Sequence, residues 1–206
     1  MSDDEDTTFS IQHDSENDNT IFLDGQFIER YATFRKKLTN AVYRNSHRYD
    51  DEEDAKKERT VHFVISNCDG GNIRHVYALT GLMRMYQKKM PIKYTLHCLG
   101  SLHSSATLFM TSDVFSKVTL DRNCRIKLHE VQTEIARGTN LVKRQFVVFA
   151  TECNDTENEM CEQYRSFAAK RCKTHVDWQK VLNDGNVEPC FTAAQAFSMG
   201  LCDEVI

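Results

Sequence analysis

A chain of 206 residues, 40% of them hydrophobic and 27% charged, is long enough for one domain with a sizeable core and too short for a second full one. A net charge of −4 at pH 7, with no block of Lys and Arg along one element, excludes the footprint of a nucleic-acid binder, and no run approaches the roughly 18 apolar residues of a membrane span. Eight cysteines without a CxxC pair suggest neither zinc nor a disulfide framework; with Met1-Ser2-Asp3-Asp4-Glu5-Asp6 in place of a basic and apolar leader, they point to a reducing cytoplasm.

Residues 1–19 are acidic and polar and cannot bury enough apolar surface to offset their ordering entropy, so a mobile tail is expected ahead of a domain over 20–206. Ile21-Phe22-Leu23 before Asp24-Gly25 reads as a short buried strand, and Ile28, Tyr31, Phe34, Leu38 and Val42 then recur at helical spacing. A charged loop, Tyr49 to Glu58, follows. Val61 to Ile65 is rich in β-branched and aromatic residues and stops at the turn chemistry of Asn67-Cys68-Asp69-Gly70-Gly71. The next helix, Ile73 to Tyr86, is apolar nearly all round through Val76, Leu79, Leu82 and Met83, which predicts burial between layers.

A strand from Tyr94 to Leu99 leads through Gly100 into a helix of small residues, Ser104 to Met110, and two further strands are expected over 114–119 and 125–129. In the second of these, alternation puts Ile126 and Leu128 on one face and sends Arg125, Lys127 and His129 to the other. Leu141 to Cys172 is helical in pattern with a polar break at Asn154-Asp155-Thr156-Glu157-Asn158, as one helix or two. Short helices at Trp178 to Leu182 and Ala193 to Met199, the latter capped by Gly200, precede a closing strand over 202–206. Strand, turn and helix repeating with short loops predict an α/β layer architecture.

Three places carry groups suited to acyl transfer, each with a plainer reading. Ser104 stands at a strand-to-helix turn, near the positive end of a helix dipole where a developing oxyanion is favoured; such a serine also serves as an N-cap. His129 closes its strand facing away from the core, toward a cleft or toward solvent. Asp184 lies in Asn183-Asp184-Gly185, which is equally a turn signal. The pair Gly70-Gly71 lets backbone N–H groups approach a ligand, or simply makes a turn.

The order of these features from Thr20 to Ile206 resembles the proteolytic subunit of the Clp protease. Phe63 through Asn67-Cys68-Asp69-Gly70-Gly71 is similar to that family's strand ending in Asn-Ser-Pro-Gly-Gly, and Cys98-Leu99-Gly100 with Ser104 is similar to its Cys-x-Gly-x-x-x-Ser segment. Ile126-Lys127-Leu128-His129 resembles the strand carrying the family's histidine, and the 25-residue spacing from Ser104 favours that serine over Ser101 or Ser105. Phe191-Thr192-Ala193-Ala194-Gln195-Ala196 through Gly200-Leu201-Cys202-Asp203 resembles the family's ending, and counting back without a gap places Asp184 on its catalytic aspartate. The chain departs from the pattern at Asp69 (proline in the family), Ser105-Ala106 (Met-Gly) and Glu130-Val131 (Gln-Pro).

The resemblance implies an α/β, ClpP/crotonase-like fold of repeated β-β-α units with a protruding handle helix over about 130–175, the break at 154–158 being the natural place for the chain's extra length there. It implies a serine endopeptidase with Ser104, His129 and Asp184 as nucleophile, base and orienting acid, and the backbone N–H groups of Gly71 and Ser105 as oxyanion hole. Substrate, a peptide or unfolded protein, lies beside Gly70 and Gly71, with no metal and no cofactor. It further implies a homo-oligomer of stacked heptameric rings enclosing the sites, a tetradecamer fed by an AAA+ unfoldase. Two alternatives accompany this reading: a crotonase-type acyl-CoA enzyme, and a catalytically silent ring subunit.

Overall fold

Alternating apolar positions in the strands build a parallel sheet whose buried face carries the core. The computed structural model describes residues 19–23, 25, 31–47, 59–129, 143–171, 175–182 and 189–206; all but the last residue of the expected tail over 1–19, the charged loop and Asp184 lie outside the described residues. In chain order the elements are β1 (Thr20–Leu23), α1 (Tyr31–His47), β2 (Arg59–Cys68), α2 (Ile73–Lys89), β3 (Ile92–His103), α3 (Ser105–Met110), β4 (Phe115–Leu120), β5 (Arg125–Lys127), α4 (Lys143–Ala169), α5 (Trp178–Leu182), β6 (Cys190–Thr192), α6 (Ala193–Ser198) and β7 (Glu204–Val205). No helix among the described residues is long and apolar enough to cross a membrane.

The main sheet runs β1-β2-β3-β4-β7, all parallel. Val61, Phe63 and Ile65 of β2 and Tyr94, Leu96 and Cys98 of β3 are buried on one face, while His62 and Thr95 turn to the other and hydrogen-bond there at 2.8 Å. A slip of one residue in pairing would carry those polar groups into the core. Rings of Phe34 (α1), Phe63 (β2), Phe109 (α3) and Phe115 (β4) pack with centroids 5.1–6.2 Å apart, mostly edge to face. Such pairs are worth about 0.5–1.5 kcal/mol each beyond burial, and here they fix α3 against the sheet.

Among the described residues, the seven-stranded sheet branches at β3. Over Tyr94–Cys98 its free side pairs with β4, and over Ser101–His103 it pairs with β5, which in turn pairs antiparallel with β6. The change of partner falls at a bulge: Ile65 pairs with Cys98 and Asn67 with Ser101, so Ser66 alone faces Leu99 and Gly100. A Cβ at Gly100 would collide with the Ser66 carbonyl and the Asn67 side chain, so only glycine admits this approach. Asn67 Oδ1 accepts from the Ser101 N–H (2.9 Å) and hydroxyl (3.0 Å), pinning the register beyond the bulge. The β-β-α unit thus recurs as the two halves of β3 with α3, and as β4, β5 and α4.

The structure settles four details of these elements. α2 buries one face (Val76, Leu79, Thr80, Met83, Tyr86) and leaves Tyr77 and Met85 exposed, so it is a surface helix and does not lie between layers. α4 passes unbroken through 154–158: that stretch holds neither Gly nor Pro, and the Thr156 hydroxyl donates to the Glu152 carbonyl (2.8 Å) without opening the helix. β1 is an edge strand with Phe22 exposed. β6, three residues long, exists through its pairing with β5 and carries no strand signal of its own.

Candidate active site

Ser104 follows the last residue of β3 and precedes α3, and its N–H donates to the Lys127 carbonyl at 3.0 Å, extending the ladder to β5 by one bond. Its backbone has φ 55° and ψ −131°, and it is the one non-glycine residue with positive φ among those described. This is the geometry of the first central position of a type II′ turn, where glycine is the usual occupant, and holding a side chain there costs about 1–3 kcal/mol. The hydroxyl makes no capping hydrogen bond to α3, so Ser104 does not perform the N-cap role open to it in the sequence.

Surrounding bonds hold the strained turn. The Ser104 carbonyl accepts from the Thr107 N–H (3.0 Å) and from the Thr107 hydroxyl (2.6 Å). Since that hydroxyl has one proton, its 2.6 Å contact with the Tyr164 hydroxyl of α4 makes Tyr164 the donor. Tyr164 is fully buried, and burial raises its phenol pKa, keeping the proton in place at neutral pH. A buried chain therefore runs from α4 to the backbone of the serine.

The glycine turn lies against this corner. The β2–β3 ladder ends with Cys68 opposite Leu102, which brings Asp69 and Gly70 beside His103 and Ser104. Gly70 has φ 95° and Gly71 φ 132°. A Cβ on Gly70 would stand 2.7 Å from Ser104 Cβ, 2.8 Å from the His103 carbonyl oxygen and 3.1 Å from the Ser105 nitrogen. The Ser105 hydroxyl donates to the Gly71 carbonyl at 2.8 Å, and Asp69 Oδ1 lies 3.4 Å from His103 Nδ1. These side-chain links between residues 34 apart were absent from the sequence reading. The signal that would have found them is the pairing register of two non-consecutive segments, which periodicity alone does not supply.

His129 is half-buried two residues beyond β5, and the expected alternation holds, with Ile126 and Leu128 buried and Arg125 exposed. Because His103 pairs with Lys127, Ser104 and His129 leave the same end of two adjacent parallel strands. The Leu128 N–H donates to the Pro189 carbonyl at 3.0 Å, so the chain five residues after Asp184 runs beside the residue preceding His129. Asp184 itself lies outside the described residues.

Three buried thiols are muted. Burial raises the Cys98 thiol well above its ordinary range and, as the main cause, pushes Cys124 and Cys202 up to about 12. Buried thiols of this kind stay protonated and inert. Among the described residues no group of His, Cys, Asp and Glu side chains is arranged to hold a metal ion.

A search among curated proteins finds no match to the chain. The family model described as Clp protease matches residues 16–206. That match spans β1 to β7 and with them both halves of β3, the glycine turn and the strained Ser104 corner, so the chain belongs to the Clp protease family, as a ClpP-like α/β protein.

Proposed function

We propose that this ClpP-like peptidase is a serine endopeptidase in which Ser104 Oγ attacks the peptide carbonyl. His129 accepts the hydroxyl proton and later returns it to the leaving amine, and Asp184 holds the imidazole in the useful tautomer. The backbone N–H groups of Gly71 and Ser105 receive the oxyanion, each such donor being worth about a hundred- to a thousandfold in rate. Substrate lies extended beside Gly70 and Gly71, adding a strand next to the turn. The observation that carries this reading is Ser104 itself, held at φ 55° with its hydroxyl uncommitted to capping the helix that follows. Strain of that kind persists where the surroundings over-determine it, and it clusters at reactive residues.

Enclosure in stacked heptameric rings, a tetradecamer loaded by an AAA+ unfoldase, completes the proposal. Its support in this chain is α4, where Phe146, Val147, Val148 and Phe149 are all exposed in succession, an apolar surface that favours burial against further subunits. We place the protein in the cytoplasm, in keeping with the free thiols of its described cysteines.

The test uses one purified sample. A fluorophosphonate probe is expected to modify Ser104, mapped by peptide mass, and to stop hydrolysis of a fluorogenic peptide; Ser104→Ala is expected to abolish both while the particle still sediments at ring size. Full hydrolysis by Ser104→Ala, or labelling elsewhere, would refute the assignment. Turnover of an acyl-CoA thioester by a chain that the probe leaves untouched would turn it toward crotonase chemistry.

A further inference from the structure

Resting on the peptidase reading, we propose that Asp69 and His103 are positioning residues: their pairing holds the glycine turn against the nucleophile-bearing end of β3 and so keeps the Gly71 N–H aimed at the oxyanion. The ladder between β2 and β3 stops at Cys68 and Leu102, so the next three residues, Asp69, Gly70 and Gly71, have left the sheet. Two consecutive glycines at φ 95° and 132° give this turn more conformational freedom than any other residue pair would. Its placement nevertheless has little tolerance, because Gly70 sits where even one added carbon would be 2.7 Å from Ser104 Cβ.

Two side-chain links cross the gap, one on each side of Ser104. Downstream, Ser105 Oγ donates to the Gly71 carbonyl at 2.8 Å. Upstream, Asp69 Oδ1 stands 3.4 Å from His103 Nδ1. The first restrains only the far end of the turn. The second restrains its entry, at the first residue beyond the ladder between β2 and β3. The side chains are 31% (His103) and 69% (Asp69) exposed, and exposed ion pairs contribute little to folding stability. The effect of this pair therefore falls on the geometry of catalysis, where a displacement near 1 Å costs on the order of a hundredfold.

The experiment compares wild type, Asp69→Asn, His103→Gln and the double variant in steady-state hydrolysis of one neutral fluorogenic peptide and one with basic flanks, alongside thermal melting. Each single variant is expected to lose about tenfold in kcat with KM within about twofold on both peptides, and Asp69→Glu to recover part of the loss. The double variant is expected to be no worse than the poorer single one, and all Tm values to stay within about 2 °C. Wild-type kcat in the single variants, losses that multiply in the double, a loss confined to KM on the basic peptide, or a Tm falling in step with kcat would each overturn the proposal. Fluorophosphonate labelling of wild-type Ser104 separates this failure from failure of the peptidase reading, which would leave even the wild type unlabelled.

Discussion

Replacing Gly70 with alanine probes the contact on which the candidate site is built. At φ 95° an L side chain is strained, a cost of about 1–3 kcal/mol. The new methyl would lie 2.7 Å from Ser104 Cβ and 2.8 Å from the His103 carbonyl oxygen, against an optimum of about 3.5–4.0 Å, and neither neighbour is the end of a flexible side chain. The turn must therefore retreat by roughly 1 Å, which adds about 1 kcal/mol of lost packing and carries the Gly71 N–H away from Ser104. The expected result is a loss of about 2–4 kcal/mol in stability, a Tm lower by roughly 4–16 °C at 2–4 °C per kcal/mol, and hydrolysis down on the order of a hundredfold. Gly81→Ala supplies the contrast, since Gly81 is exposed within α2 with nothing within 4 Å of its added Cβ, and the gain there is about 0.5–1 kcal/mol. Melting and peptide hydrolysis measured on both variants decide the matter: wild-type Tm and activity in Gly70→Ala would refute the close approach of turn and serine.

Three further outcomes are expected. Ser104→Gly removes the side chain from its strained backbone, so hydrolysis disappears while Tm rises by about 2–4 °C; a lower Tm would contradict the strain. Thr107→Val strips a donor from the Ser104 carbonyl and leaves the buried Tyr164 hydroxyl without its acceptor, costing about 1–3 kcal/mol, whereas Tyr164→Phe spares the bond to Ser104 and costs about 0.5–1.5; urea midpoints at unchanged slope test that order. Burial keeps the Cys124 and Cys202 thiols protonated up to about 12 in the fold, against an ordinary value of 9.0, and Cys98, Tyr94 and Tyr164 shift in the same direction. In the unfolded chain these protons leave earlier, so their contribution is whole below pH 9 and is lost as pH rises toward 12; denaturant midpoints that do not fall between pH 8 and 10.5 would refute this.

What could be read from the sequence was whatever is local. Val61, Phe63 and Ile65 announce a half-buried strand by spacing alone, and Trp178 to Leu182 falls on α5 as expected. Apolar composition misled where it stood for burial: Tyr77 and Met85 lie on the outer side of α2, since only a stripe about 100° wide meets the sheet. At 154–158 the pattern left one helix or two open, and the structure has one, because solvated side chains do not end a helix unless the backbone lacks a donor or gains freedom. In the candidate site, resemblance selected Ser104, but its positive φ goes with long-range contacts to Gly70 and Lys127, which no local pattern encodes. The same holds for Asp69 and His103, unremarkable until the β2–β3 register sets them side by side.

β3 is paired on both sides over Tyr94–Cys98, with β2 and β4, and again over Ser101–Leu102, with β2 and β5, on either side of the bulge at Leu99 and Gly100. Hydrogen exchange of the amides in these two stretches should proceed only through global unfolding, making them the slowest to exchange in the chain. The nucleophile proposed above is thus mounted at the end of a strand that yields little, so under that proposal any accommodation of differently shaped peptides has to come from elements other than β3.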